Sequence, residues 1–231
     1  MGWGCSTRIL AIRHGETAWN QQARIQGFLD IGLNDTGRRQ AAQLAEALAG
    51  ETLDAVYSSD LSRARDTAQA LASGRGLPLK LDEALRERRF GIFEGLSFAE
   101  IETRHPEDCR RWRQRDPDFG PVGGERLCDF YDRCVAAFTR LSEAHPGGAI
   151  AVVSHGGVLD CLYRAATQLS LQAPRTWSVA NTSVNRVLYT GEGFTLTGWG
   201  DVQHLEAPPL DAGVGQGTRV LDEGSDGGRA A

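Results

Sequence analysis

Three times in its 231 residues the chain runs a short apolar stretch into a polar turn and then into a helical period, and this recurrence restricts it to an α/β fold. Arg8–Arg13 (RILAIR) ends at RHGE and is followed by a helical spacing over Gly37–Leu48. Asp54–Ser58 (DAVYS) leads through SSDLSR into Leu61–Leu71, and Ala149–Val153 (AIAVV) leads through SHGG into Val158–Leu169. Strands covered on both faces read as continuous apolar runs, so the pattern predicts a three-layer α/β/α sandwich around a mostly parallel sheet. Ligands of such sheets bind beyond the carboxyl ends of the strands. The turns at RHGE, SSDLSR and SHGG are therefore expected to meet in one crevice.

Between Phe90 and Glu125 the periodicity breaks down into a stretch dense in Arg, Asp, Trp and Pro, read as a lid-like insertion over the sheet. A helix is expected across Glu125–Ala144, and strands at Ser183–Tyr189 and Phe194–Trp199. Residues 1–205 then form one domain, and 206–231, rich in Gly, Asp and Ala without period, form a disordered tail. The N-terminal stretch has neither a basic n-region nor an apolar h-region, and no run approaches 18 apolar residues. Gly2 and Ser6 fit the loose acylation pattern M-G-x-x-x-[ST], but an irregular N-terminus explains them more simply. Five cysteines without a C-x-x-C pair indicate neither a disulfide framework nor a zinc site, and place the chain in a reducing compartment, the cytoplasm.

A formal charge of −5 speaks against a nucleic-acid module, which needs an excess of clustered cations. The expected partner is a small molecule; neither nucleic acid nor membrane is expected, and self-association is left open. Positive charge is carried by arginine with Lys80 as the only lysine, and the planar guanidinium suits bidentate phosphate contacts.

Arg13-His14-Gly15 follows directly on a buried strand. A lone histidine there would usually be structural, but His155-Gly156-Gly157 sits at an equivalent strand end. Covalent phosphoryl transfer needs a nucleophile, cationic donors around the equatorial oxygens and an acid for the leaving oxygen. His14 fits the first role. Arg13, Arg63 and a charged His155 fit the second, with the Gly156 N–H near a helix start. Arg65 competes with Arg63, but two residues apart on a helix they point in different directions, and Arg63 is nearer the strand end. Glu87, before the Gly91 break, is the candidate acid, with Glu94 as its competitor; a carboxyl beside a phosphate is favoured in the protonated form.

Other chemistries fit less well. There is no G-x-x-x-x-G-K-[ST] loop, and no G-x-G-x-x-G follows a strand. C-x5-R occurs at Cys109–Arg115 and Cys134–Arg140, both in helix-like runs without a phosphate-cradling glycine. Zinc held by His14, His155 and His204 lacks a short-range ligand pair, and Arg13 disfavours a cation, so no metal and no cofactor is expected.

The ordered blocks R13-H14-G15-E16-T17, Asn20, Q26-G27, S58-S59-D60-L61-S62-R63-A64, L85-R86-E87, F90-G91 and S154-H155-G156-G157 together resemble the histidine phosphatase superfamily, branch one, the phosphoglycerate mutase-like family. The likeness extends over about Arg8 to Leu205. It implies a phosphohistidine on His14, a phosphate pocket completed by Arg13, Arg63 and His155, proton donation by Glu87, and substrate contacts at Asn20, Gln26 and Gly27. Cofactor-dependent mutases of this family carry a longer segment before the second histidine. Here Glu87 and His155 are 68 positions apart, and the block FGIFEG lacks the mutases' tyrosine. Both features resemble the phosphatases that act on small metabolites, with mutase as the alternative and a non-catalytic phosphate binder as a third reading.

Overall fold

The structure, a computed structural model, describes residues 6–205; the tail expected at 206–231 and the pattern residue Gly2 lie outside them. Along the chain come β1 (Thr7–Arg13), α1 (Ala18–Gln21), α2 (Asp35–Ala47), β2 (Ala55–Ser58), α3 (Ser62–Ser73), β3 (Leu79–Leu81), α4 (Phe98–Arg104), α5 (Pro106–Arg113), α6 (Leu127–Glu143), β4 (Ala149–Ser154), α7 (Gly156–Thr167), β5 (Val184–Thr190) and β6 (Gly193–Asp201). The six strands form one sheet in the order β3-β2-β4-β1-β5-β6. The first four are parallel, and β5 and β6 add an antiparallel edge.

The alternation of side chains along β1 explains the three layers. Ile9 and Ala11 join Ile150, Val152, Phe130, Phe138 and Leu162 on the face covered by α6 and α7. Leu10 and Ile12 join Ala151, Val153, Leu44, Ala68 and Leu71 on the face covered by α2 and α3. Leu44 and Leu71 have no exposed surface, and truncating either to alanine would cost about 2–5 kcal/mol. α2 is capped by Asn34, whose side chain accepts the Gly37 N–H at 2.8 Å, so the helix begins at Asp35, earlier than the Gly37 expected from period alone.

Register brings the strand ends level. Arg13 pairs with Ser154 and Ser58 with Val153, while the N–H groups of His14 and Ser59 donate to the carbonyls of Ser154 and Val153 at 2.9 and 3.1 Å. The three turns therefore open on the same edge of the sheet.

The insertion is more ordered than its sequence indicates. Ser97 and Glu100 form a capping box that starts α4, and Pro106 opens α5. Phe93, Ile101, Cys109 and Phe119 form a small core of their own beneath Trp112. Helices of seven and eight residues cover barely two turns, too few for a hydrophobic period to show. The edge strand β3 leaves no trace in the sequence pattern for the same reason, being three residues long.

Candidate active site

At the carboxyl ends of β1, β2 and β4 a cavity of about 380 Å³ opens beneath the insertion. Arg13, His14, Asn20, Gln26, Gly27, Arg63, Glu87 and Gly156, all expected from the sequence, line it. His155 is not part of the wall. It is wholly buried just behind His14, the ring centroids 5.2 Å apart.

The His14 ring is held in one tautomer. Its Nδ1–H donates to the Gly15 carbonyl at 2.7 Å, which leaves the lone pair on Nε2. Burial first, then the charges of Arg63 and Arg13, hold the imidazole well below its ordinary pKa, so the ring is neutral. Gly15 is fixed in turn by Thr67, whose Oγ1 accepts the Gly15 N–H at 3.0 Å while donating to the Arg63 carbonyl. A Cβ at Gly15 would stand 2.6 Å from the Gly37 carbonyl oxygen, so the close approach of the turn to α2 requires glycine.

Arg63, on the first turn of α3, is 1% exposed and spends both terminal nitrogens on the loop between α1 and α2, Nη2 on the Gly27 carbonyl at 2.8 Å and Nη1 on the Leu29 carbonyl at 2.9 Å. Arg13 donates from Nη1 to the Val179 carbonyl at 2.6 Å. In both, Nε is buried with no protein partner, and so is Nδ1 of His155. Buried donors are rarely left unpaired. Burial pushes Arg63 down to about 10 and lowers Arg13 as well, yet both remain cationic at neutral pH. Two orphaned guanidinium donors and an orphaned imidazole nitrogen gathered around the His14 ring form a cradle for an anion of several oxygens.

His155 departs from the charged donor expected from the sequence. Burial first, then Arg63, His14 and Arg13, push its pKa well below the ordinary value, so it is neutral in the free protein. Its Nε2 meets Ser59 Oγ at 2.9 Å. Ser59 Oγ also accepts from the Leu61 N–H at 3.3 Å, and where its hydroxyl donates to Nε2 the ring hydrogen is on Nδ1.

Glu87 reaches the cavity from the segment after β3. Its Oε1 accepts the Arg88 N–H at 2.9 Å and its Oε2 the Gly157 N–H at 3.1 Å, on the first turn of α7. Glu94 is engaged elsewhere. Its Oε1 takes the N–H groups of Phe28 and Phe90 at 3.0 and 2.9 Å, which ties down the loop that orients Arg63. Gly27 in that loop has φ +51°, and a Cβ there would meet Glu94 Oε1 at 2.2 Å. Arg65 pairs with Asp66 at the surface. Asn20 completes the capping box with Thr17, and Gln26 accepts from Thr17 Oγ1 at 3.1 Å, which leaves its amide nitrogen for the cavity.

Cys109 and Cys134 are buried in helices, away from any cradle, although Arg115 does line the cavity. His204 bonds Thr182 Oγ1 at 3.1 Å and lies outside the lining, so the three histidines of the zinc alternative do not converge. Several lining or supporting residues were missed from sequence. Asn181 Nδ2 donates to the His14 carbonyl at 2.9 Å, and Arg24, Trp112, Arg115, Asp160 and Arg175 form the outer wall. Thr67 was legible, four residues after Arg63 on one helix face. Asn181 and Arg175 lie in an irregular loop that offers no period.

The sequence profile of the histidine phosphatase superfamily (branch 1) matches residues 9–202. The chain belongs to that superfamily. Among its relatives, phosphoglycerate mutase-like protein 4 of Arabidopsis thaliana is 44% identical, the match spanning 86% of each chain. The metal-independent phosphoserine phosphatase of the same plant is 37% identical over 87% of this chain and 84% of its own. Of solved structures, Bacillus stearothermophilus YhfR superposes with a TM-score of 0.81 at 34% identity, covering 87% of this chain and all of that one. In this histidine phosphatase superfamily member, no helix among the described residues is long and apolar enough to cross a membrane.

Proposed function

We propose that the chain is a phosphatase of small phosphorylated metabolites that works through a phosphohistidine on His14. The observation that carries this reading is the set of orphaned buried donors, Arg13 Nε, Arg63 Nε and His155 Nδ1, around an imidazole whose Nε2 lone pair is free. In the first step Nε2 attacks phosphorus and the bond to the ester oxygen breaks, while the Glu87 carboxyl gives its proton to the departing alkoxide. In the second, water attacks the phosphohistidine and the Glu87 carboxylate takes its proton, releasing phosphate and restoring both groups. The arginines and His155 meet the charge that grows on the equatorial oxygens. Asn20, Gln26, Gly27 and Gly156 flank the substrate.

The phosphoserine phosphatase among the relatives supports hydrolysis, and the short segment from Glu87 to His155 agrees with it. The name of the 44% identical relative keeps phosphoryl return to a sugar acid as the second reading. The free cysteines Cys109, Cys128, Cys134 and Cys161 suit a reducing compartment, which we take to be the cytoplasm.

One experiment separates these readings. Wild type given 3-phosphoglycerate should release free phosphate, at a rate unchanged by EDTA, and quenching in base should trap an acid-labile phosphate on the chain. His14→Ala should lose about 10⁴-fold or more in kcat while keeping its fold. Conversion to 2-phosphoglycerate with little phosphate released would establish the mutase, and near-normal turnover by folded His14→Ala would end the covalent mechanism.

A further inference from the structure

Beyond the phosphate cradle the outer wall holds a second buried polar group with an unused atom. Asp160 stands on α7 three residues after Gly157, the residue whose N–H binds Glu87. Residues three apart on a helix share a face. Glu87 and Asp160 thus line one cavity, the first held at Gly157 and the second borne three residues farther along the same helix.

Asp160 is 5% exposed, and its two oxygens differ sharply. Oδ2 accepts from Arg115 Nη2 at 2.7 Å and from Arg164 Nε at 3.0 Å. Arg164, itself fully buried, is locked onto the carbonyls of Ser170 and Ala173, so the carboxylate cannot turn away. Oδ1, itself buried, has no hydrogen-bond partner. Arg175 Nε forms a long ion pair with it at 3.8 Å and donates to the Trp177 carbonyl at 3.0 Å. Arg175 is exposed and lies on the irregular segment after α7, and its side chain has to move aside for Oδ1 to take a partner from the cavity.

We propose that Asp160 determines leaving-group specificity: Oδ1 accepts a hydrogen bond from an ammonium or hydroxyl on the carbon next to the ester CH₂, while Arg175 and Arg115 face an acidic group on that same carbon. This rests on the phosphatase reading and deepens it. The substrate class is a short phosphate monoester of an amino acid or hydroxy acid. With the ester oxygen at Glu87, a leaving group lies along the wall that carries Asp160, and a donor on its second carbon is the group that can meet Oδ1. A purely apolar leaving group would leave Oδ1 buried and unpaired, which a site of this kind penalises.

Three esters differing in one substituent test it: O-phospho-L-serine, 3-phosphoglycerate and 3-phosphooxypropanoate carry NH₃⁺, OH and H on that carbon. Titrated into His14→Ala, which reads binding without turnover, the first or second should bind about 10–100-fold more tightly than the third. The same preference should appear in kcat/KM of the wild type. Asp160→Ala in either background should abolish the preference, lowering the favoured ester far more than the third. Asp160→Asn separates the two donors, since losing the charge weakens an ammonium partner more than a hydroxyl one. Equal binding of all three esters, or an equal loss on all three in both Asp160 variants, would overturn the proposal and leave Asp160 a structural partner of Arg164 over a water site. Hydrolysis of p-nitrophenyl phosphate by wild type keeps the two readings apart, because it depends on the cradle and not on the substituent. Its absence would count against the phosphatase, whereas the affinities in His14→Ala would still decide the role of Asp160.

Discussion

The imidazoles of His14 and His155 face each other at 5.2 Å with their planes tilted by 59°, both neutral, each with one nitrogen fixed by the protein. Burial beside two arginines makes a charged ring expensive in the free protein. An anion in the cradle reverses that balance, because a protonated His155 donates from Nδ1 to it while keeping its contact with Ser59.

Anion binding should therefore take up a proton at neutral pH. Sulfate, which does not titrate there, can be bound calorimetrically at pH 7 in buffers of different ionisation enthalpy. A net uptake approaching one proton is expected, and much less with His155→Asn. No uptake in wild type would show that His155 stays neutral.

The same shifts link stability to pH. Unfolded imidazoles titrate near 6.5 and the two folded ones well below it, so the unfolded chain binds more protons as pH falls. The stability gained by keeping the rings neutral is whole above about pH 6.5 and lost below it. The urea midpoint should fall between pH 7.5 and 5.5, with a shallower slope in His155→Asn; an unchanged slope would mean that other groups set the dependence.

Arg63 and Arg65 offer a contrast two residues apart. Arg63→Ala removes an orphaned donor and strands the carbonyls of Gly27 and Leu29, so kcat should fall by about 10²–10³-fold with a raised KM. Arg65→Ala removes a surface pair worth at most about 1 kcal/mol and should change activity less than about twofold. Steady-state kinetics on both decide it, and the reverse ranking would remove Arg63 from the cradle.

Glu87→Gln keeps the shape but cannot deliver a proton. Its penalty should be about 10²–10⁴-fold on an alkyl ester, whose leaving alkoxide is strongly basic, and much smaller on p-nitrophenyl phosphate. Equal losses on both would make Glu87 a binding group; Glu94 is no substitute, since it lies outside the cavity lining.

Gly157→Ala probes the same acid from behind. A Cβ there would stand 2.3 Å from Glu87 Oε1 and 3.2 Å from Phe130, so the carboxyl must move. Turnover of the alkyl ester should drop about 10²-fold, as for a misplacement of about 1 Å, while the thermal midpoint stays close to wild type. Full activity would mean that Glu87 needs no fixed position.

The parallel β-turn-α layers, the crevice at the three turns and most of the residues around it are legible in local residue patterns. These rest on local rules: alternation along β1, helical period in α2, α3 and α7, and turn residues held directly to strand ends. Tertiary structure alone decided the rest. The neutrality of His14 and His155 follows from burial and from charges brought in by other elements, which no window of sequence contains. The outer wall depends on Arg115 and Arg175, from the insertion and an irregular loop, meeting Asp160 on α7. Their separations in sequence, 45 and 15 residues, carry no period, and only the packing of three segments shows that one oxygen of Asp160 is saturated and the other free.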